Sequence, residues 1–209
     1  MIDVPLIVID NFFETPTLVR QFALQQEYFK GDRGNWPGVR TKFIDELDNP
    51  FFHTLCSKLI HYIPGANSFS LVQSTFQLID ETYGNGWVHN DDPKFNVAGL
   101  VYLNPEIISQ NTGTTLYDTR CDVNSKEYTE MFMSEVNSDD TNKRTEFEKY
   151  RNDHRSSWTP NAVIENRFNR CILFNSKIWH SADNFFGKDK ETARLTLVFF
   201  GVAIYDRSV

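Results

Sequence analysis

Between Phe69 and Tyr205 the chain is punctuated by short runs rich in β-branched and aromatic residues. They are FSLVQSTFQLI (69–79), WVHND (87–91), NVAGLVYLN (96–104), TTLYD (114–118), CILFN (171–175) and RLTLVFFGVAIY (194–205). Turn-forming residues separate them, and helices do not alternate with them. That order argues against a parallel α/β sheet, whose strands need helical crossovers. It predicts an antiparallel sandwich or barrel, a mainly β fold. The 18 Phe residues of the 209-residue chain supply large apolar groups for one sizeable core, so a single domain over 1–209 is expected.

Ahead of the β-rich part, PLIVI (5–9) is a short β-branched run, and Thr15-Pro16 offers a cap followed by proline at the first helical position. Leu18, Val19, Phe22, Ala23 and Phe29 then recur at helical spacing and predict one apolar stripe. GDRGNWPGVRT (31–41) reads as a loop, and Asp48-Asn49-Pro50 opens a second helix through about Tyr62. Two helices bracing a β core are therefore expected. His53 and His61 fall on the second helix and read as surface or packing histidines.

A segment from 121 to about 166 interrupts the strands with dense, mixed charge and partly helical patterning. It reads either as a solvated insertion or as a lid over a site's rim. No apolar run approaches the roughly 20 residues of a membrane helix. The N-terminus has no secretory pattern, so an intracellular, cytoplasmic protein without membrane attachment is expected. Cys56, Cys121 and Cys171 are too few and too dispersed for a disulfide framework or a Cys-x-x-Cys site. A formal net charge of −7 argues against nucleic acid as a partner. The basic stretch NKRTEFEKYRNDHRSSW (142–158) is interleaved with acids and fits a solvated helix better than a nucleobase-binding groove.

Two places carry candidate chemistry. In GWVHNDD (86–92), residues i and i+2 of an extended segment share a face, so His89 and Asp91 can converge on one ion while Asn90 points away. A polar loop is the alternative, because two ligands rarely suffice. His180 is the remaining histidine that follows a convincing β run. In ARLTLVFFG, Leu195, Leu197 and Phe199 share one face, and Arg194 and Thr196 share the other. A buried guanidinium needs an anion, either an internal carboxylate or the far end of a dicarboxylate ligand.

These stretches in this order resemble the iron(II)- and 2-oxoglutarate-dependent dioxygenases, and within them the prolyl-4-hydroxylase-like branch. The resemblance runs from about Phe76 to Gly201, with a break at the charged segment. YGNGWVHND and GLVYLN resemble the family's approach to His-x-Asp and the strand after it. GTTLY is similar to the next strand, CILFNSKIWHSA to the strand leading to the distal histidine, and ARLTLVFF to the strand bearing the cosubstrate arginine. Thr112 stands where a first glycine often occurs, and Arg194 follows His180 by 14 residues, a long interval for the family.

The resemblance implies a double-stranded β-helix, or jelly roll, with iron ligands His89, Asp91 and His180. It implies Arg194 on the 2-oxoglutarate C5 carboxylate, assisted by Thr196, with Tyr102 and Tyr83 as further contacts. Fe(II), 2-oxoglutarate and O2 would then serve hydroxylation of a C–H bond, first of all on a peptidyl, prolyl-like side chain. A small metabolite or nucleobase is the alternative substrate, and a non-catalytic, metal-containing β-sandwich binding module is the alternative class.

Overall fold

The computed structural model describes residues 5–30, 36–106, 110–118 and 140–205. Its strands are β1 (Ile7–Ile9), β2 (Val39–Arg40), β3 (Ala66–Ile79), β4 (Val97–Tyr102), β5 (Thr114–Tyr117), β6 (Pro160–Ile164), β7 (Cys171–Phe174), β8 (Trp179–Ala182) and β9 (Arg194–Tyr205). The helices are α1 (Pro16–Gln25), α2 (Ile44–Leu47), α3 (Asn49–Tyr62) and α4 (Thr141–Ser156). One sheet has the order β1-β7-β4-β9-β3-β2 and the other β6-β5-β8. The pairings within them are antiparallel.

The larger sheet is buried on both faces. From one face Phe76, Leu78, Leu195, Leu197 and Phe199 meet Ala23, Ile44, Leu55 and Leu59 of the helical layer. From the other, Ala98, Tyr102, Ile172 and Phe174 meet Leu116 and Ile164 of the smaller sheet. Period-two alternation along β9 thus feeds two cores with alternate residues. Helix α3 begins where its local signals place it, with the Asp48 carboxylate accepting from the Phe51 N–H at 2.9 Å.

Several expectations need correction. Helix α1 ends at Gln25, so Phe29 lies beyond it and is 47% exposed, and Leu18 turns outward at 60% exposure. WVHND does not form a regular strand. It runs beside β8 through the isolated bridges Asn85↔Asn184 and His89↔His180, and the Asp91 N–H donates to the Ser176 carbonyl in the turn before β8. The charged segment is not wholly an insertion, since β6 within it pairs with β5 along Thr114↔Ile164 to Tyr117↔Pro160. Residues 121–139 of that segment, including Cys121, lie outside the described residues. Cys56 and Cys171 are free thiols. Among the described residues no helix is long and apolar enough to cross a membrane.

Candidate metal centre

His180 sits on β8 opposite Leu116 of β5, and its bridge to His89 brings the two histidines together across 90 residues of chain. The Nε2 of His89 lies 3.8 Å from one Asp91 oxygen, and the Nε2 of His180 lies 3.7 Å from the other. Potential ligand atoms of all three residues fall within 4.8 Å of one another. Octahedral bonds of about 2.1 Å separate neighbouring ligands by roughly 3 Å, so closure on an ion needs only small side-chain movements.

The surroundings prepare the donors. The Nδ1 of His89 is 2.9 Å from the Trp87 carbonyl, and the Nδ1 of His180 is 2.9 Å from the Ile178 carbonyl. A carbonyl only accepts, so each Nδ1 carries the proton and each Nε2 keeps its lone pair for an ion. Desolvation, together with the facing His180 ring, pushes His89 down to about 4, toward the neutral form that binds metal. The direction is what matters, because 48% of that side chain remains open to water. Asp91 keeps one buried oxygen without a hydrogen bond. Two imidazoles and one carboxylate form a donor set suited to Fe(II) with open coordination positions.

Deeper between the sheets lies a second group. Arg194 is 2% exposed, Thr196 fully buried, and Tyr102, fully buried, pairs with Thr196 across β4 and β9. The Arg194 Cζ stands 5.4 Å from the Tyr102 ring centroid, and its Nε reaches the Thr112 carbonyl at 3.4 Å. Its Nη2 and the Thr196 hydroxyl have no hydrogen-bond partner. The Tyr102 hydroxyl is 2.7 Å from that of Thr114. Burial pushes the Arg194 guanidinium down and the Tyr102 phenol up. Tyr102 packs with Phe174, whose ring lies 4.7 Å from that of His180, so this group and the triad share one inter-sheet space.

An internal salt bridge was the competing expectation for Arg194. Asp183 is the acid whose charge Arg194 feels, but Asp183 is ion-paired with Arg155 and accepts from the Thr115 hydroxyl at 2.8 Å. Tyr83 lies on the 3-10 turn Glu81–Tyr83 and lines a surface depression with Tyr28, Val39, Lys188 and Ala193.

Three groups escaped the sequence reading. Arg155 and His154 of α4 belong to a helix that covers the outer face of the smaller sheet. There Trp158 packs with Tyr117 and Val88, and His154 stacks on Trp87 at 4.5 Å. Residues 150, 151, 154, 155 and 158 share a helical face, which is the only signal the sequence held. Arg155 also donates to the Ala182 carbonyl at 2.8 Å, at the end of the strand that carries His180. Arg155→Ala should therefore lower stability by roughly 1.5–3 kcal/mol, because Asp183 keeps a buried charge without its cation. Thermal melts should show a fall of roughly 3–12 °C, and less when Asp183→Asn is added. The third group, Arg40 beside Trp36, lay in what reads as a loop.

A sequence search of curated proteins found no match. Among solved structures, a prolyl hydroxylase from Trichoplax adhaerens, in complex with a hypoxia inducible factor oxygen degradation domain peptide fragment, superposes with a TM-score of 0.56 at 14% identity. The match covers 94% of this chain and 83% of that one. HygX from Streptomyces hygroscopicus, with nickel and 2-oxoglutarate bound, gives 0.58 at 13% identity over 96% of this chain and 84% of that one. A Pseudomonas putida prolyl-4-hydroxylase gives 0.54 at 14% identity over 95% and 92%. At such identities the likeness establishes the fold, one shared with prolyl hydroxylases and other 2-oxoglutarate-dependent oxygenases. The profile described as "Family of unknown function (DUF6445)" matches residues 2–201, and the chain belongs to that family.

Proposed function

We propose that this protein is an Fe(II)- and 2-oxoglutarate-dependent dioxygenase that hydroxylates a C–H bond, with a peptidyl, prolyl-like side chain as the first substrate class to test. The sheets are then the two halves of a double-stranded β-helix in a single domain. The observation that carries this reading is the pairing of the His89-Asp91-His180 cluster with two buried polar atoms that lack hydrogen-bond partners, the Arg194 Nη2 and the Thr196 hydroxyl, in the same inter-sheet space. Neither half is explained by packing. An unpartnered guanidinium Nη2 in the interior is costly unless a ligand completes it.

In this reading His89, Asp91 and His180 hold Fe(II), and Arg194, Thr196 and Tyr102 receive the far carboxylate of 2-oxoglutarate. Tyr83 serves at most as an outer contact. When bound, the iron and cosubstrate supply, with O2, the oxidising power for hydroxylation, releasing succinate and CO2. The chain's own residues position and exclude. Carbonyls of Trp87 and Ile178 fix the histidine tautomers. Phe174, Leu116 and Tyr102 keep water from the cosubstrate pocket. A prolyl hydroxylase neighbour is in complex with a peptide, and HygX was also solved with hygromycin B bound, so the fold admits ligands of both sizes.

The test is a balance of products. Purified protein with Fe(II), ascorbate and 2-oxoglutarate should form succinate in step with cosubstrate loss, slowly alone and faster with a true substrate. A preparation that holds iron yet never consumes 2-oxoglutarate would return the fold to a binding role.

A further inference from the structure

The larger sheet ends in β2, and its register continues the row that carries the cosubstrate pocket. Tyr102 pairs with Thr196, Thr196 with Gln77, and Gln77 with Arg40. Directly paired residues of antiparallel strands share a face, so Arg40 points into the inter-sheet space with the others, while Val39 and Leu78 pack on the helical side. Two strand spacings separate Arg40 from Thr196, roughly 10 Å. The row therefore carries an arginine beyond the cosubstrate group.

The position is built. The Arg40 backbone exchanges hydrogen bonds with Phe29 at 2.8 and 3.0 Å, and the Gln77 side-chain amide donates to the Pro37 carbonyl at 3.1 Å, beside Trp36. The Arg40 guanidinium lies over the Trp36 ring, 4.4 Å from its centroid, and its buried Nε has no hydrogen-bond partner. Among the described residues it forms no ion pair. The acid whose charge it feels is Asp91 of the triad, while desolvation draws its pKa down to about 10.

We propose that Arg40, backed by Trp36, binds a carboxylate of the primary substrate and so presents the substrate to the metal centre. The inference rests on the oxygenase reading above and narrows its substrate class. A charge count supports it. A divalent ion and Arg194 together balance Asp91 and the two carboxylates of 2-oxoglutarate, and Arg155 balances Asp183. Once an ion engages Asp91, Arg40 has no counter-charge among the described residues. A planar guanidinium stacked on an aromatic face, with its edge free, suits bidentate capture of a carboxylate.

The carboxylate can belong to a small free acid or to an acidic side chain in a peptide, and two probe series separate these sources. One is N-acetyl amino acids as free acids against their primary amides. The other is end-blocked tripeptides with Asp or Glu against Asn or Gln. Protein loaded with Mn(II) and 2-oxoglutarate is titrated with each probe and followed by intrinsic tryptophan fluorescence, with a metal-free titration alongside.

In one series the acid should bind at least about tenfold more tightly than its amide. Arg40→Gln should erase that difference without weakening Mn(II) or 2-oxoglutarate binding, and Arg40→Lys should keep part of it. The proposal falls if wild type shows no acid preference in either series, or if the preference survives Arg40→Gln. It falls equally if Arg40→Gln weakens 2-oxoglutarate or Mn(II) binding or unfolds the chain, because Arg40 then serves the cosubstrate, the ion or the fold. If wild type binds neither Mn(II) nor 2-oxoglutarate, the oxygenase reading fails by itself. The metal-free titration still decides whether Arg40 selects acids.

Discussion

His89→Ala, Asp91→Ala and His180→Ala should each reduce Fe(II) or Mn(II) binding from about one ion per chain to near zero, with 2-oxoglutarate turnover falling to background. The reason is geometric. Three donors gathered within 4.8 Å can supply a facial set, and removing one would leave a pair too weak to hold an ion. Stability gives a second readout. An ion held at 100 times its Kd stabilises the native state by about 2.7 kcal/mol, a rise of roughly 5–10 °C in melting temperature for a chain of this size. Wild type should show that rise and the three variants should not. His53→Ala and His61→Ala, on exposed positions of α3, should behave as wild type. Unchanged stoichiometry in all three triad variants would reduce the cluster to a polar corner of the sheet.

The other large effect concerns the cosubstrate. Arg194→Met removes the buried cation and its need for a partner while roughly keeping volume, so the fold and the metal centre should survive. Affinity for 2-oxoglutarate should fall by about 30-fold or more, since losing a buried charge-assisted contact costs roughly 2–5 kcal/mol. Pyruvate has the keto acid without the far carboxylate. It should bind wild type poorly and hardly respond to the substitution. Anaerobic titration of the metal-to-ligand absorption band with each keto acid makes the comparison. Equal weakening for both ligands would make Arg194 a structural residue, and unchanged 2-oxoglutarate affinity would move the cosubstrate elsewhere.

Local signals carried much of the architecture. Asp48-Asn49-Pro50 marks the start of α3 because capping and proline act within one turn, and the alternation in β9 reveals its two faces because one is apolar and the other carries Arg194 and Thr196. What escaped was set by partners distant in sequence. Strand β6 begins at Pro160 on a sheet edge, and its pairing with β5 is invisible in its own residues. Trp179–Ala182 is too short and too polar to read as a strand, yet β5 on one side and the His89 segment on the other make it one. The same holds for the site. Spacing and resemblance singled out His89, Asp91, His180 and Arg194. Arg40 could not be singled out, because its direction follows from a register shared with Gln77 and Thr196.

The bridge between His89 and His180 also bears on the order in which the molecule assembles. It joins points 91 positions apart through isolated contacts rather than a continuous ladder, and it exists only after β5, β7 and β8 have found their places. An isolated bridge gains little until the strands around it are in place, so the corner carrying two of the three candidate ligands settles after the sheets that flank it. An ion that enters there acts as a clasp on a nearly finished structure rather than as a nucleus for it. Loading with metal would then slow the first step of unfolding far more than it hastens folding, tying the lifetime of the folded chain to the supply of the ion.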